Sequence, residues 1–335
     1  MRRSAKATPL RAAVIGCGRI GAAFAAHGKG AVLTHAAAYG ACALTELVAV
    51  CDVNVEAVGA SAQAWKVEGF TDLGEMLEAV MPEIVSICTP DDTHASLADR
   101  ILQSPSVRGV LIEKPLALTI EDAEKTVRLA EKRGVVLAVN YSRRWATGIS
   151  GVTTLLRAGR LGAVRSVTGH YANGWLHNGT HWIDLARMLV GEVASVRMLR
   201  KAPSCHEGDP SLDVEIEFVQ GAHGVVLGHA ETGLSFFEID LICERGRVRL
   251  SRGAEQIDVY ELASSPTFAG FFEHVPLSSS SAGLGQSMLM AVEDVALRVR
   301  DGGSAACTGS DGIAALRAAI AARDADGWIS VQAGR

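Results

Sequence analysis

Three glycines in the run Gly16-Cys17-Gly18-Arg19-Ile20-Gly21 constrain this chain more than any other feature. They follow a short apolar segment, Leu10 to Ile15, and open an alanine-rich stretch that reads as helix. A buried strand running through such a turn into a helix is the start of a βαβ unit. The first glycine permits a tight turn and the second lets the backbone approach a pyrophosphate. The third lets helix and strand close together, with the helix N-terminus toward the phosphate charge. The whole turn, with Cys17, Arg19 and Ile20, is therefore a candidate cofactor-binding segment. Its acidic partner is Asp52, at the end of a second apolar run, Leu47 to Cys51. A carboxylate there accepts hydrogen bonds from ribose hydroxyls and repels a 2′-phosphate, which favours NAD over NADP. Asp52 lies 31 positions after Gly21, against about 20 in the usual spacing. The excess is placed as an insertion around residues 24–33, where Gly28 and Gly30 interrupt the helical pattern; it reads as a surface loop or as a flap near the ligand.

The pattern continues in the same way. Ile84 to Cys88, Val110 to Ile112 and Val135 to Val139 read as further buried strands. Helical segments stand between them at Ala57 to Trp65, Leu73 to Val80 (Thr71 as cap), Thr93 to Gln103 and Ile120 to Arg133. Strands alternating with helices imply a parallel sheet with right-handed crossovers. After about residue 150 the texture changes. Asp213 to Phe218 and Glu238 to Leu241 alternate polar with apolar, and Glu244 to Arg247 reads as a hairpin turn before Val248 to Leu250,. Such strands form an open, mainly antiparallel sheet whose second side needs helices or another subunit. Helices close the chain at Gln286 to Arg300 and Gly312 to Arg323; Ser278 to Ser281 reads as a loop. The expected fold is α/β, a Rossmann domain over 1–140 followed by an α+β domain over 141–335. The helices after about 285 are expected to pack back near the junction.

Composition narrows the function. A length of 335 residues suits two domains, and 48% hydrophobic with 21% charged residues is ordinary for a globular chain,. A net charge of −5 with no Lys/Arg run excludes a nucleic-acid surface,. No apolar stretch approaches the ~20 residues of a membrane span. Residues 1–9 read as a frayed tail without the apolar core of a signal peptide. Seven cysteines, with no C-x-x-C pair, point to reduced thiols and a cytoplasmic setting,.

Five stretches, AVIGCGRIG, VAVCD, VSICTPDDTH, LIEKPLALT and GTHWIDLARMLVG, make the chain resemble the Gfo/Idh/MocA oxidoreductases, named for glucose-fructose oxidoreductase, inositol dehydrogenase and a rhizopine-catabolism protein. The late segment CTGSDGIAALRAAIAA adds to the likeness, which runs from Arg11 to about Val331. The resemblance implies that Thr89, Pro90 and His94 line the dinucleotide with Glu113 and Lys114. It places Lys114 between nicotinamide and substrate. His181 becomes the proton carrier, Asp184 the residue that orients it or holds the local structure, and Arg144 a substrate-side arginine. It also implies a homodimer or homotetramer through the second domain's sheet. One departure stands out: the family often carries an Asp four residues before the catalytic His, and here that position is His177, followed by Asn178.

The residues themselves support that chemistry. Hydride removal from a secondary alcohol leaves a proton for an imidazole and a developing alkoxide for an ammonium, the parts His181 and Lys114 can play from two sides of an interdomain cleft. His177, His181 and Asp184 have ligand-like spacing, but Gly179 and Thr180 start a helix between the two histidines, and no metal is expected. Trp175 and Trp182 can stack on a sugar or simply pack; His223 and His229 read as structural. The substrate expected is a sugar, cyclitol or nucleotide-sugar. An enzyme opening glycosidic bonds through transient oxidation, and a non-catalytic NAD-binding sensor, remain open alternatives.

Overall fold

The structure, a computed structural model, describes residues 8–23, 31–205, 208–230 and 236–331. The chain divides into two discontinuous compact units, Met1–Ser142 with Gly285–Ile313, and Arg143–Leu284 with Ala314–Arg335. The first part runs β1 (Leu10–Ile15), α1 (His35–Ala41), β2 (Thr45–Cys51), α2 (Val55–Trp65), β3 (Glu68–Phe70), α3 (Leu73–Val80), β4 (Ile84–Ile87), α4 (His94–Ile101), β5 (Gly109–Ile112), α5 (Ile120–Arg133) and β6 (Val136–Val139). Next come α6 (Thr147–Arg157), β7 (Val164–Ala172), α7 (Thr180–Val190), β8 (Val193–Ala202), β9 (Ser211–Phe218), β10 (His223–His229) and β11 (Phe237–Cys243). The chain ends with β12 (Gly246–Ser251), β13 (Gln256–Ser264), β14 (Phe272–Ser281), α8 (Ser287–Asp301), α9 (Gly309–Arg323) and β15 (Trp328–Ser330).

The first unit holds a six-stranded parallel sheet ordered β3-β2-β1-β4-β5-β6. β4 and β5 are buried along their whole length, as strands covered on both faces must be, and this is why they read as unbroken apolar runs. Local chemistry sets the helix ends. Asn54 and Thr119 cap α2 and α5 through their side chains, and Gly134 closes α5 in the left-handed conformation,. Asp72, not Thr71, caps α3, accepting from the Glu75 N–H; at that boundary a carboxylate one residue later outcompetes the hydroxyl. β3 gave no signal in the sequence because Glu68-Gly69-Phe70 has neither an apolar run nor alternation. α8 returns to this unit and lies so close to β5 that a Cβ on Gly109 would stand 2.7 Å from Val299.

The second unit carries a nine-stranded sheet ordered β14-β13-β12-β11-β7-β10-β9-β8-β15. Its pairs are antiparallel except β10 with β7. α7 covers one face, with the Trp182 indole donating to Glu238 O at 3.0 Å. The other face carries the polar residues of the alternating strands, joined as Arg197–Glu215, Arg247–Asp240 and Arg249–Glu238 ion pairs. Ser278 to Ser281, read as a loop, lies in the edge strand β14, where the Ser279 hydroxyl donates to Asp258 at 2.5 Å. A serine run has low strand propensity, and pairing with β13 overrides it. Residues 1–7 of the expected tail and 24–30 of the expected insertion lie outside the described residues.

Candidate active site

Strand register assembles the edge on which the first unit presents its chemistry. Ile15 pairs with Cys51 and Ile87, Ile87 with Ile112, and Ile112 with Val139. Gly16, Asp52, Cys88, Glu113 and Asn140 therefore leave the sheet together at its carboxyl end. The order of connections reverses between β1 and β4, the switch point at which open α/β sheets take ligands.

The glycine turn sits at that switch point. Gly16 has φ +96°, and a Cβ there would stand 2.6 Å from the Cys88 carbonyl, so only glycine fits. A Cβ on Gly21 would lie 1.9 Å from Gly16 O. Around Gly18 nothing lies within 4 Å of that position, leaving its backbone open to close approach. Asp52 is fixed against the turn: its carboxylate accepts from Cys17 N–H at 2.7 Å and from Asn54 N–H at 2.9 Å. Burial pushes the Cys17 thiol up, opposed by a hydrogen bond with Ser61 and reinforced by the Asp52 charge; Cys88 is pushed up by burial and by Glu113. Both stay thiols, poor nucleophiles. Cys17 is nearly inaccessible, whereas Arg19 and Ile20 are exposed. After the turn the described residues Arg19–Ala23 have a π-type helical conformation, with the Ala22 and Ala23 N–H groups both on Gly18 O. Among the described residues the next helix is α1, which starts at His35 and is capped by Thr34; before it Val32 N–H donates to Gly285 O.

His94 lies at the same edge but is fully buried, its ring nitrogens 2.7 Å from Pro115 O and 2.9 Å from Thr89 O. It braces two loops and offers no surface of its own to a ligand. Thr89 is half-buried, with its hydroxyl 2.6 Å from that of Thr93, and Pro90 is exposed. Glu113 and Lys114 are buried, and the Lys114–Pro115 peptide is cis. Glu113 anchors a group absent from the sequence reading: His35, Ser86, Tyr39 and Asn140. Only position could have revealed them, since Ser86 and Asn140 sit at or just past strand ends beside Glu113. A cavity of about 580 Å³ lined by Arg108, Glu131, Arg298 and Gly303 opens at the amino ends of β5 and β6, the wrong end for this chemistry.

In the second unit, Asn173 (φ +71°) and Gly174 (φ +83°) turn the chain into a π-type turn, Trp175–Gly179, which gives way to α7 at Thr180. His177 belongs to the π-type turn and His181 to the first turn of α7, which continues from it. Among the described residues no group of three or more His, Cys, Asp or Glu is arranged to hold a metal ion. Asp209, in a loop without a readable pattern, caps the turn: its oxygens accept the Leu176 and His177 N–H groups, each at 2.8 Å. A carboxylate thus serves the backbone of residue 177 although the side chain there is imidazole. Asn178 donates to Ala172 O at 2.8 Å. His177, Asn178 and His181 are half-buried. Trp175 and Trp182 are fully buried, with Trp175 donating to Ala319 O at 2.8 Å; both pack and neither presents a face for a sugar.

Asp184 is 2% exposed and held by Arg144 through both oxygens, Nε at 2.8 and 3.1 Å and a terminal nitrogen at 2.8 Å. Arg187 stands 3.7 Å from the same carboxylate and is itself paired with Glu192. Forked arginine–carboxylate pairs are rigid, so this one ties the segment after β6 to the helix that carries His181. Removing Arg144 takes the forked partner from the buried Asp184 carboxylate and leaves it the longer contact to Arg187. Arg144→Met is expected to lower unfolding free energy by about 3 kcal/mol, read by urea denaturation; an unchanged midpoint would deny the pair that role.

Residues 10–141 match the family model described as "Oxidoreductase family, NAD-binding Rossmann fold", GFO_IDH_MocA. The chain is similar to D-apiose dehydrogenase of Paraburkholderia graminis, 32% identical over 166 residues, 44% of each chain. It is also similar to D-glucoside 3-dehydrogenase of Escherichia coli, 31% identical over 198 residues, 55% of this chain and 53% of that one. The matched part thus spans about half the length of these curated relatives. Among solved structures, levoglucosan dehydrogenase in complex with NADH and levoglucosan superposes with a TM-score of 0.81 at 19% identity, over 97% of this chain and all of that one; at that identity the likeness shows the fold. The strand order, the glycine turn with its carboxylate and the family match agree on a Rossmann unit over residues 10–141 that is similar to the NAD-binding unit of the Gfo/Idh/MocA oxidoreductases.

Proposed function

We propose that the protein is an NAD-dependent oxidoreductase acting between a secondary alcohol and a ketone of a sugar, cyclitol or nucleotide-sugar. The observation that carries this is the Asp52 carboxylate, fixed by the Cys17 N–H beside a glycine turn whose middle residue faces open space. These residues fit an adenine dinucleotide: Gly18 gives the pyrophosphate close backbone approach, and Asp52 accepts the ribose hydroxyls. When bound, the nicotinamide supplies the carbon that takes or gives the hydride. Lys114 places an ammonium on the reacting oxygen and stabilises its negative charge. His181 takes the hydroxyl proton, a task suited to an imidazole, which can both accept and return a proton. Asp184, bound by Arg144, holds the helix on which His181 stands. His177, Asn178 and Arg144 complete the substrate side, and Thr89, Pro90 and Glu113 the cofactor side, with His94 acting through the Thr89 and Pro115 carbonyls. The sugar-like substrate is in keeping with the names of the relatives above.

The same reading extends to a cytoplasmic setting and a homo-oligomer joined through the second unit's sheet. Six of the seven cysteines are buried free thiols, and among the described residues no helix is long and apolar enough to cross a membrane. The test is a panel of polyols, sugars and nucleotide-sugars followed by nicotinamide absorbance with NAD and NADP side by side. Turnover of one class with NAD preferred is the expected result. Calorimetry without heat for either dinucleotide would end the proposal. Asp52→Ser is expected to cut the preference for NAD over NADP at least about tenfold, ~1.4 kcal/mol, by removing the charge that repels a 2′-phosphate; an unmoved ratio would take Asp52 out of the ribose site.

A further inference from the structure

Beside Lys114 runs a chain of buried polar side chains, of which the reaction above uses Glu113 alone. Tyr39 Oη is 2.7 Å from Ser86 Oγ, which is 2.9 Å from His35 Nδ1, and His35 Nε2 is 2.9 Å from Glu113 Oε1. Asn140 donates to the same oxygen at 2.6 Å, and Lys114 N–H reaches Oε2 at 3.4 Å. Tyr39, His35 and Ser86 are completely buried. Buried polar atoms need partners, and an ionised carboxylate only accepts, so His35 Nε2 and the Asn140 amide both donate to Glu113. His35 Nδ1 is then free to accept from the Ser86 hydroxyl, whose oxygen accepts from Tyr39. That arrangement uses every hydrogen of Tyr39, Ser86 and the ring, and all three donations point toward Glu113.

Apolar side chains of the same volume would pack α1 on the sheet equally well, because buried polar networks add little net stability over such packing. What the network adds is a fixed anion next in sequence to Lys114. Burial alone drives the Glu113 carboxyl upward. The hydrogen bonds from His35 and the Asn140 amide, with the Lys114 charge, outweigh burial and hold it below the usual carboxylate range. Other titratable groups on the packed elements are Tyr39 on α1 and Cys88 after β4, both pushed up by burial and so uncharged.

We propose that His35 is a positioning residue: by donating to Glu113 it keeps a carboxylate locked beside Lys114, which holds the Lys114 ammonium charged and in place. This rests on the role given to Lys114 above. His35→Leu keeps the volume and removes the donor, whereas His35→Gln keeps an N–H to offer. The Leu variant is expected to lose kcat on the order of tenfold with NADH affinity, read by fluorescence titration, within twofold of the parent, because the glycine turn is untouched. The Gln variant is expected to recover most of that loss. In a Glu113→Gln background the Leu substitution should add little, since the two act through one bond. Two readouts need no turnover. Acetylation of Lys114 by acetic anhydride, followed by peptide mass spectrometry, should begin at lower pH in His35→Leu. The stability gap between parent and variant should be full above the ordinary glutamate range and close as pH falls through the depressed folded value, where the Glu113 contribution is lost. An unshifted Lys114 profile, or additive effects of His35→Leu and Glu113→Gln, would overturn the proposal. A shifted profile in a protein that oxidises no member of the panel would instead overturn the oxidoreductase reading and leave His35 in its place.

Discussion

Lys114→Ala is expected to lower kcat by at least about 10² while NADH binding stays near that of the parent. Charge stabilisation at an oxygen that becomes anionic acts mainly in the transition state, and losing one such group costs about 10²–10³ in rate. The location supports the size of the effect. Lys114 follows β5 at the carboxyl edge, is 8% exposed, and stands next to an ionised Glu113, so nearby water cannot readily take over its charge. Stopped-flow single-turnover measurement separates this from slower product release. Near-normal turnover would remove Lys114 from the chemistry, and a parallel rise in the NADH dissociation constant would make it a binding residue instead.

Gly21→Ala is expected to abolish dinucleotide binding and to lower stability together, whereas Gly18→Ala should impair binding alone. The added methyl at residue 21 would fall 1.9 Å from Gly16 O and 3.3 Å from Cys88 Cβ. The first contact is with main chain, which cannot rotate away, so the turn must open and β1 must separate from the segment behind it. At residue 18 the methyl meets nothing within 4 Å and costs little in the free protein, but it occupies the space through which a pyrophosphate would reach the backbone. Parallel thermal melts and NAD calorimetry decide the matter. Equal melting losses for the two variants, or tight NAD binding by Gly18→Ala, would contradict the assignment of the turn.

The first unit was readable because its strands are buried on both faces and announce themselves as apolar runs. Leu73–Val80 and Ile120–Arg133 fell where periodicity put them, since capping residues and a left-handed Gly134 close those helices locally. β14 escaped because Ser278–Ser281 owes its conformation to β13 rather than to its own composition. The fates of the candidate site residues divide along the same line. Gly16, Gly18 and Gly21 sit in a turn whose backbone geometry their spacing encodes, and Asp52 is held against it at the end of an apolar run. The partners of Glu113 are not encoded that way: His35 lies 78 residues and Ser86 27 residues before it, and only strand register together with the packing of α1 on the sheet brings them together. Asp209 was equally illegible, since a carboxylate that caps the turn at residues 176 and 177 could come from any loop able to reach.

The return of α8 to the first unit governs how this protein can be made and cut. Its Val295 and Val299 lie over Gly109 of β5, and Arg300 donates to Thr8 O and Leu44 O. A ribosome therefore releases the whole of β1 to β6 long before the helix that seals β5 emerges, and the nascent nucleotide-binding half must wait with an uncovered apolar strand while some 140 further residues are translated,. A fragment ending at Ser142 would inherit that exposed strand permanently and aggregate, whereas one in which residues 285–313 are spliced directly after Ser142 restores the seal and should express as a folded dinucleotide-binding module.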